Sequence, residues 1–167
     1  FKEKIMKRRE LFSSLASSFT KKDKQEKVLR PPYYSKEEDE SFFLTNCINC
    51  EGLCGTVCEE NIIIIQEDST PKLDFSVNGC TYCDECARIC PNNVLKIEDK
   101  RYIDAKIEID ILSCLSWNQT MCFSCKDPCL DDAINFLAMF RPSINEHCTS
   151  CGFCIKVCPT NAIKIIN

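Results

Sequence analysis

Sixteen cysteines carry the chemistry of this 167-residue chain. They fall into four sets of four: Cys47, Cys50, Cys54, Cys58; Cys80, Cys83, Cys86, Cys90; Cys114, Cys122, Cys125, Cys129; and Cys148, Cys151, Cys154, Cys158. Thiols at this density pair as disulfides, hold zinc, or hold iron–sulfur clusters. Spacing separates the three. Structural zinc sites join two C-x2-C knuckles across a longer loop, whereas here three cysteines crowd together and a fourth follows four residues later. Disulfides within C-x2-C loops would be strained, and no convincing secretion signal accompanies them.

The second and fourth sets read C-x2-C-x2-C-x3-C-P, the bacterial 4Fe–4S run. Pro91 and Pro159 follow the fourth cysteine at a first helical turn, where a missing N–H costs little. The first set has one extra residue, C-x2-C-x3-C-x3-C, and the third is stretched to C-x7-C-x2-C-x3-C. Glu59 and Leu130 replace the proline in these two, yet all four thiols are retained. Zinc or a vestigial motif is the competing reading of the third set.

Three thiolates on a loop reach three irons of a cubane, and the fourth points away toward a neighbouring cluster. Four 4Fe–4S clusters are therefore expected. Cluster 1 takes Cys47, Cys50, Cys54 and Cys90; cluster 2 takes Cys80, Cys83, Cys86 and Cys58. Cluster 3 takes Cys114, Cys122, Cys125 and Cys158; cluster 4 takes Cys148, Cys151, Cys154 and Cys129. Any other pairing of motifs would regroup only the four closing cysteines.

The elements that position these thiols repeat as well. Glu59-Glu60-Asn61, Pro91-Asn92-Asn93, Leu130-Asp131-Asp132 and Pro159-Thr160-Asn161 each follow a closing cysteine, and each leads into a short apolar run. The unit is a cysteine loop, a helical turn and a strand. One unit cannot enclose a cluster, but two related by a pseudo-twofold can. The expected fold is α+β, with two adjacent bacterial ferredoxin-like modules at 44–112 and 113–167. Residues 1–43 would add an N-terminal amphipathic helix and a linker. Ile62 to Ile65, Val94, Leu95, Ile97, Ile134, Phe136, Ile163 and Ile165 should pack around the clusters. Ile107, Ile109 and Ile111 alternate with charges as in a half-buried strand, and Thr70-Pro71 marks a turn or loop. So small a core implies that metal binding supplies much of the folding energy.

Through Arg30 the chain has ten basic and four acidic residues, a net of +6; the remainder has eleven and twenty-one, a net of −10. An acidic body argues against a nucleic-acid partner. Ile5, Phe12, Leu15, Ala16 and Phe19 share one helical face. This basic helix, with Arg8, Arg9 and Phe12 as candidate contacts, suits docking to a partner or a membrane surface as well as packing on the acidic body. Arg8-Arg9 precedes only a short, serine-rich run with no small-residue cleavage site, a poor export signal. No apolar stretch approaches the length of a membrane span.

Arg30-Pro31-Pro32, Glu40-Ser41-Phe42-Phe43-Leu44-Thr45-Asn46-Cys47, the stretched Cys114-x7-Cys122 and Phe140-Arg141-Pro142 carry a family resemblance. Together with the Arg8-Arg9 helix they cover nearly the whole chain. It resembles the NapF family, ferredoxin-type accessory proteins of periplasmic nitrate reductase systems. The extra residue between Cys50 and Cys54 departs from that pattern. The resemblance implies a cytoplasmic protein that binds the catalytic molybdenum subunit before export and helps it acquire its cluster or reach a reduced, folded state.

A relay of electrons from the quinol side to a terminal reductase is the alternative function. An enzyme is the weakest reading: every set commits all four thiolates, leaving no iron open for Lewis-acid chemistry, and the single histidine, His147, is expected to face solvent. Trp117 and Phe123 are expected to shield cluster 3 from water, with Trp117 also a candidate partner contact. Arg30 and the two prolines suggest a stiff extended linker, with Tyr33 and Tyr34 as its packing.

Overall fold

The computed structural model describes residues 28–35 and 40–166. The expected N-terminal helix, with Arg8, Arg9 and Phe12, lies outside the described residues.

Regular elements are short because cysteine loops interrupt them. In chain order they are α1 (Glu40–Asn46), α2 (Leu53–Val57), β1 (Ile63–Ile65), β2 (Pro71–Leu73), α3 (Glu85–Arg88), a 3-10 turn (Ile97–Asp99), β3 (Lys106–Ile109), β4 (Ile134–Leu137), β5 (Phe140–Ile144), α4 (Phe153–Lys156) and β6 (Ile163–Ile166). Three two-stranded antiparallel sheets result. β1 pairs with β2, β4 with β5, and β3 with β6.

Each helical turn α2, α3 and α4 starts directly after a residue in the left-handed region: Gly52 at φ 70°, Asp84 at φ 68° and Gly152 at φ 88°. That conformation reverses the chain between the second and third cysteines. A second reversal follows every closing cysteine. Asn61, Asn93, Asp132 and Asn161 sit three residues on, at φ 55°, 51°, 49° and 50°. Asn and Asp tolerate this region because their short polar side chains can bond locally. In all four copies the residue's N–H donates back to the cysteine carbonyl, over 3.0 to 3.4 Å. The Asx residue of each repeated tail is thus the hinge that sends the chain into its apolar run.

Burial splits each of those runs into an adjacent buried pair followed by an exposed residue, not into the strict alternation of a half-buried strand. Ile62 and Ile63 are buried while Ile64 is exposed; Leu95 is buried while Ile97 is exposed. One buried cluster gathers Tyr33, Phe43, Ile62, Leu73, Phe75 and Leu95, and a second gathers Ile107, Ile134 and Ile163. In β3, Ile107 is buried and Ile109 half-buried, and the strand stops before the exposed Ile111. The boundary expected at residue 113 leaves β3 on one side and its partner β6 on the other.

Residues 29–34 are not a free spacer. The carbonyl of Leu29 accepts from Leu73 N, that of Pro32 from Arg101 N, and that of Tyr33 from Lys96 N. This segment lies on the first sheet and the post-motif run as an added strap. Arg30 is only 5 % exposed. Its guanidinium donates to Thr70 Oγ1 at 2.9 Å and Pro71 O at 2.6 Å, pairs with the Glu40 carboxylate, and lies 4.7 Å from the centre of the Phe43 ring. Thr70 is fully buried against it, and Pro71 opens β2; the turn itself spans Gln66 to Thr70. Arg30→Met removes the donors to two buried oxygens, and each orphaned polar group costs about 1–3 kcal/mol. The cluster-loaded variant should melt several degrees below wild type in an anaerobic thermal scan; an unchanged midpoint would mean the strap contributes nothing.

Candidate metal centres

Four loops carry the cysteines, and each closing cysteine crosses to another loop. Cys47 follows α1, Cys54 lies in α2, and Cys50 lies between them. With Cys90 of the next motif they line a small cavity closed by Gly52, Pro71, Pro91, Val94 and Leu95. Cys80, Cys83 and Cys86 line a second with Cys58 of the first motif, Tyr33, Ile62, Ile63 and Leu73. Cys114, Cys122 and Cys125 line a third with Cys158 of the last motif, Ile109, Leu115, Pro142 and Ile163. Cys148 and Cys154 have Cys151 and Cys129 as electrostatic neighbours, so the last loop also meets a cysteine from another motif.

The donor chemistry tests what could fill such cavities. All sixteen thiols are free, so no disulfide framework holds the loops. Among the described residues no group of three His, Cys, Asp or Glu side chains converges as a single metal ion requires. The sulfurs surround a space instead of a point, which suits a multi-iron cube better than zinc. Burial pushes the Cys47 thiol up to about 11 and Cys54 up to about 12, with neighbouring cysteines adding to both. Burial also takes Cys80 and Cys125 to about 11 and Cys154 to about 12, and raises Cys86 and Cys148. Four thiolates gathered in a low-dielectric space repel one another, and a cationic iron core offsets that repulsion. The residues present therefore fit a 4Fe–4S cluster. Cys158 goes the other way: burial raises its thiol, but the N–H groups of Thr160 and Ala162 and the Thr160 hydroxyl outweigh burial.

Backbone donors reach the closing sulfurs as well. Leu95 N lies 3.4 Å from Cys90 Sγ, Ala133 N 3.3 Å from Cys129 Sγ, and Ala162 N 3.2 Å from Cys158 Sγ. The left-handed Asx residue aims these N–H groups back at the thiol. That signal was present in the repeated tails.

The aromatic residues singled out from sequence have different neighbours. Trp117 is absent from the lining of the third cavity; its indole N–H donates to Pro142 O at 3.0 Å, and Arg141 lies 5.9 Å from its ring. It pins the stretched loop to β5. Phe123 packs on Phe136 with ring centres 4.8 Å apart, also outside that lining. Water is kept from the third cavity by Ile109, Leu115, Pro142 and Ile163. His147 is exposed.

Sequence reasoning passed over the glycines. The chain has four, Gly52, Gly55, Gly79 and Gly152, and every one adjoins a cysteine loop. A Cβ on Gly79 would lie 2.5 Å from the Phe153 ring, and one on Gly152 would lie 2.3 Å from the Phe75 ring. These bare backbones bring the second and fourth loops into contact: Cys80 N donates to Cys151 O at 2.7 Å. Tyr82 locks the contact. Its hydroxyl donates to Thr149 O at 2.6 Å and accepts from Ile103 N at 3.2 Å. An open groove of about 850 Å³ runs beside this junction, with Cys80 and Cys151 in its wall.

Thiol loops of this spacing and enclosure define a ferredoxin-type iron–sulfur protein. Residues 46–94 match the 4Fe-4S dicluster domain and residues 143–164 the 4Fe-4S binding domain. The chain is 34% identical over 140 residues to ferredoxin-type protein NapF of Escherichia coli K12, covering 81% of this chain and 82% of that protein. It is 34% identical over 142 residues to NapF of Haemophilus influenzae, covering 82% and 78%. Ferredoxin-type protein NapG of E. coli K12 is 28% identical over 165 residues, covering 83% and 70%. The chain belongs to the NapF family of ferredoxin-type proteins. No helix among the described residues is long and apolar enough to cross a membrane.

Proposed function

We propose that the chain holds four 4Fe–4S clusters in two adjacent ferredoxin-like modules and serves, in the cytoplasm, as an accessory factor for maturing the catalytic molybdenum subunit of periplasmic nitrate reductase. It is a carrier of clusters or electrons and not an enzyme. Cluster 1 is assigned to Cys47, Cys50, Cys54 and Cys90, cluster 2 to Cys58, Cys80, Cys83 and Cys86, cluster 3 to Cys114, Cys122, Cys125 and Cys158, and cluster 4 to Cys129, Cys148, Cys151 and Cys154. The observation that carries the assignment is the sharing of a cavity by three cysteines of one motif and the closing cysteine of another. The second module is best drawn from β3, and residues 29–34 supply the matching strand-like segment of the first. Similarity to NapF over most of the chain supports the nitrate reductase connection.

Anaerobically purified protein should contain about 16 iron and 16 sulfide per chain, four cubanes' worth. Cys90→Ala, a change in the second motif, should remove the first motif's cluster and leave about 12 iron. Loss of the second motif's own cluster instead would overturn the exchange of closing cysteines. For the partner, affinity capture with the immature catalytic subunit should retain this protein; no retention under anaerobic conditions would count against the maturation role. The backbone contact between the second and fourth loops favours a second reading, in which the clusters form one relay between a quinol-side donor and a terminal reductase. Deletion that leaves a fully clustered reductase but stops electron flow would select it.

A further inference from the structure

The four cysteine sets are not equivalent in what reaches their sulfurs. Two side-chain hydroxyls lie against cysteines of the third cavity: Ser124 Oγ is 3.7 Å from Cys122 Sγ, and Thr160 Oγ1 is 3.8 Å from Cys158 Sγ. Against a cluster-bound thiolate, which has no proton, each hydroxyl can only donate. The positions matching Thr160 after the other closing cysteines hold Glu60, Asn92 and Asp131. Glu60 accepts from Asn78, Asn92 donates to Asn46 O, and Asp131 accepts from the Thr149 hydroxyl. None of the three bonds is to sulfur. The positions matching Ser124, just before the third cysteine, hold Leu53, Glu85 and Phe153.

Contacts between loops also fix an order. α2, carrying Cys54, packs on α3, carrying Cys86, so cavities one and two adjoin. Cys80 bonds to Cys151 through the backbone, so cavity two adjoins the fourth loop. Cys154 and Cys125 share one buried cluster, so the fourth loop adjoins cavity three. The order in space is one, two, four, three, and the third cavity ends the row.

Resting on the four-cluster reading, we propose that Ser124 and Thr160 make the cluster of Cys114, Cys122, Cys125 and Cys158 the electron sink at one end of a relay ordered one, two, four, three. Reduction adds one negative charge to a cubane, and hydrogen bonds to its thiolates favour that charge, raising the potential. An electron supplied by a low-potential one-electron donor would then be held preferentially at the site of Cys114, Cys122, Cys125 and Cys158, where the Ser124 and Thr160 hydroxyls donate to the thiolates.

The test is an anaerobic potentiometric titration of the full, cluster-loaded chain with dithionite, followed by electron paramagnetic resonance. The variants are S124A, T160V and the double variant; T160S retains the hydroxyl. In S124A and T160V the wave of highest potential should move to lower potential, further in the double variant, while the other waves hold and T160S behaves as wild type. Iron and sulfide, measured on the same samples, should stay at about 16 each. Full iron with the highest wave unmoved, or with a different wave displaced, overturns the tuning alone. Wild-type iron well below that value overturns the four-cluster reading and this proposal with it.

Discussion

Complete anaerobic removal of iron and sulfide should unfold the chain. Far-ultraviolet circular dichroism should lose its strand and turn signal, and no cooperative thermal transition should remain. The three sheets have two strands each, and a lone two-stranded pair is marginal in water. Cys47, Cys54 and Cys86 are themselves members of the first buried cluster, and Cys125 and Cys154 of the second. Without metal these positions are polar thiols around vacated space, and nothing links Cys54 to Cys90 or Cys125 to Cys158. The free energy of metal binding in such a domain is folding free energy. A near-native cooperative melt after iron removal would sink this expectation and relocate the stability to the apolar contacts of Tyr33, Phe43 and Leu95.

Gly152→Ala should be the most damaging single-methyl change in the described residues. Gly152 sits at φ 88°, and the new Cβ would fall 2.3 Å from the ring of Phe75, itself only 4 % exposed. The left-handed backbone costs a residue with a Cβ about 1–2 kcal/mol, and forcing a methyl into a packed site adds about 1–3 kcal/mol. A combined loss of about 2–5 kcal/mol, at roughly 2–4 °C per kcal/mol for a chain of this size, is easily read in the melt of the loaded protein. Gly55→Ala is the internal control. Its Cβ would come no closer than 3.1 Å to any neighbour, and its φ lies outside the left-handed region, so it should change the midpoint far less. Equal effects at the two glycines would show that the contact between the second and fourth loops carries no special weight.

Much of this was legible in the residues because the donors sit in short windows. The C-x2-C-x2-C-x3-C-P runs specify cluster chemistry locally, and the repeated Asn and Asp after each closing cysteine announce a turn. The alternation of Ile107 and Ile109 announced a half-buried strand. What the sequence could not provide was partnership. Nothing near Ile107 points to Ile165, 58 positions on, as its cross-strand neighbour. Nothing in Arg30-Pro31-Pro32 distinguishes an exposed spacer from a buried strap; only Thr70 and Glu40, 40 and 10 positions on, decide it. Trp117 illustrates the same limit. Its place in the stretched loop suggested a shield over cluster 3, yet its N–H is bound by the carbonyl of Pro142. The hydroxyls of Ser124 and Thr160 were visible as letters, but an ordinary serine and threonine carry no signal until a sulfur is seen beside them.

The crossing of closing cysteines also has a consequence for biosynthesis. A chain leaves the ribosome from its N-terminus, so a cavity can be complete only after its last cysteine emerges. The second cavity has all four of its thiols once Cys86 is out, whereas the first must wait for Cys90. Similarly, Cys154 emerges before Cys158, which the third cavity requires. The loop made first is therefore not the loop finished first. A nascent chain paused between residues 58 and 80 carries four thiols of one motif with no cavity to put them in, and in that interval they are open to oxidation or to a passing metal ion.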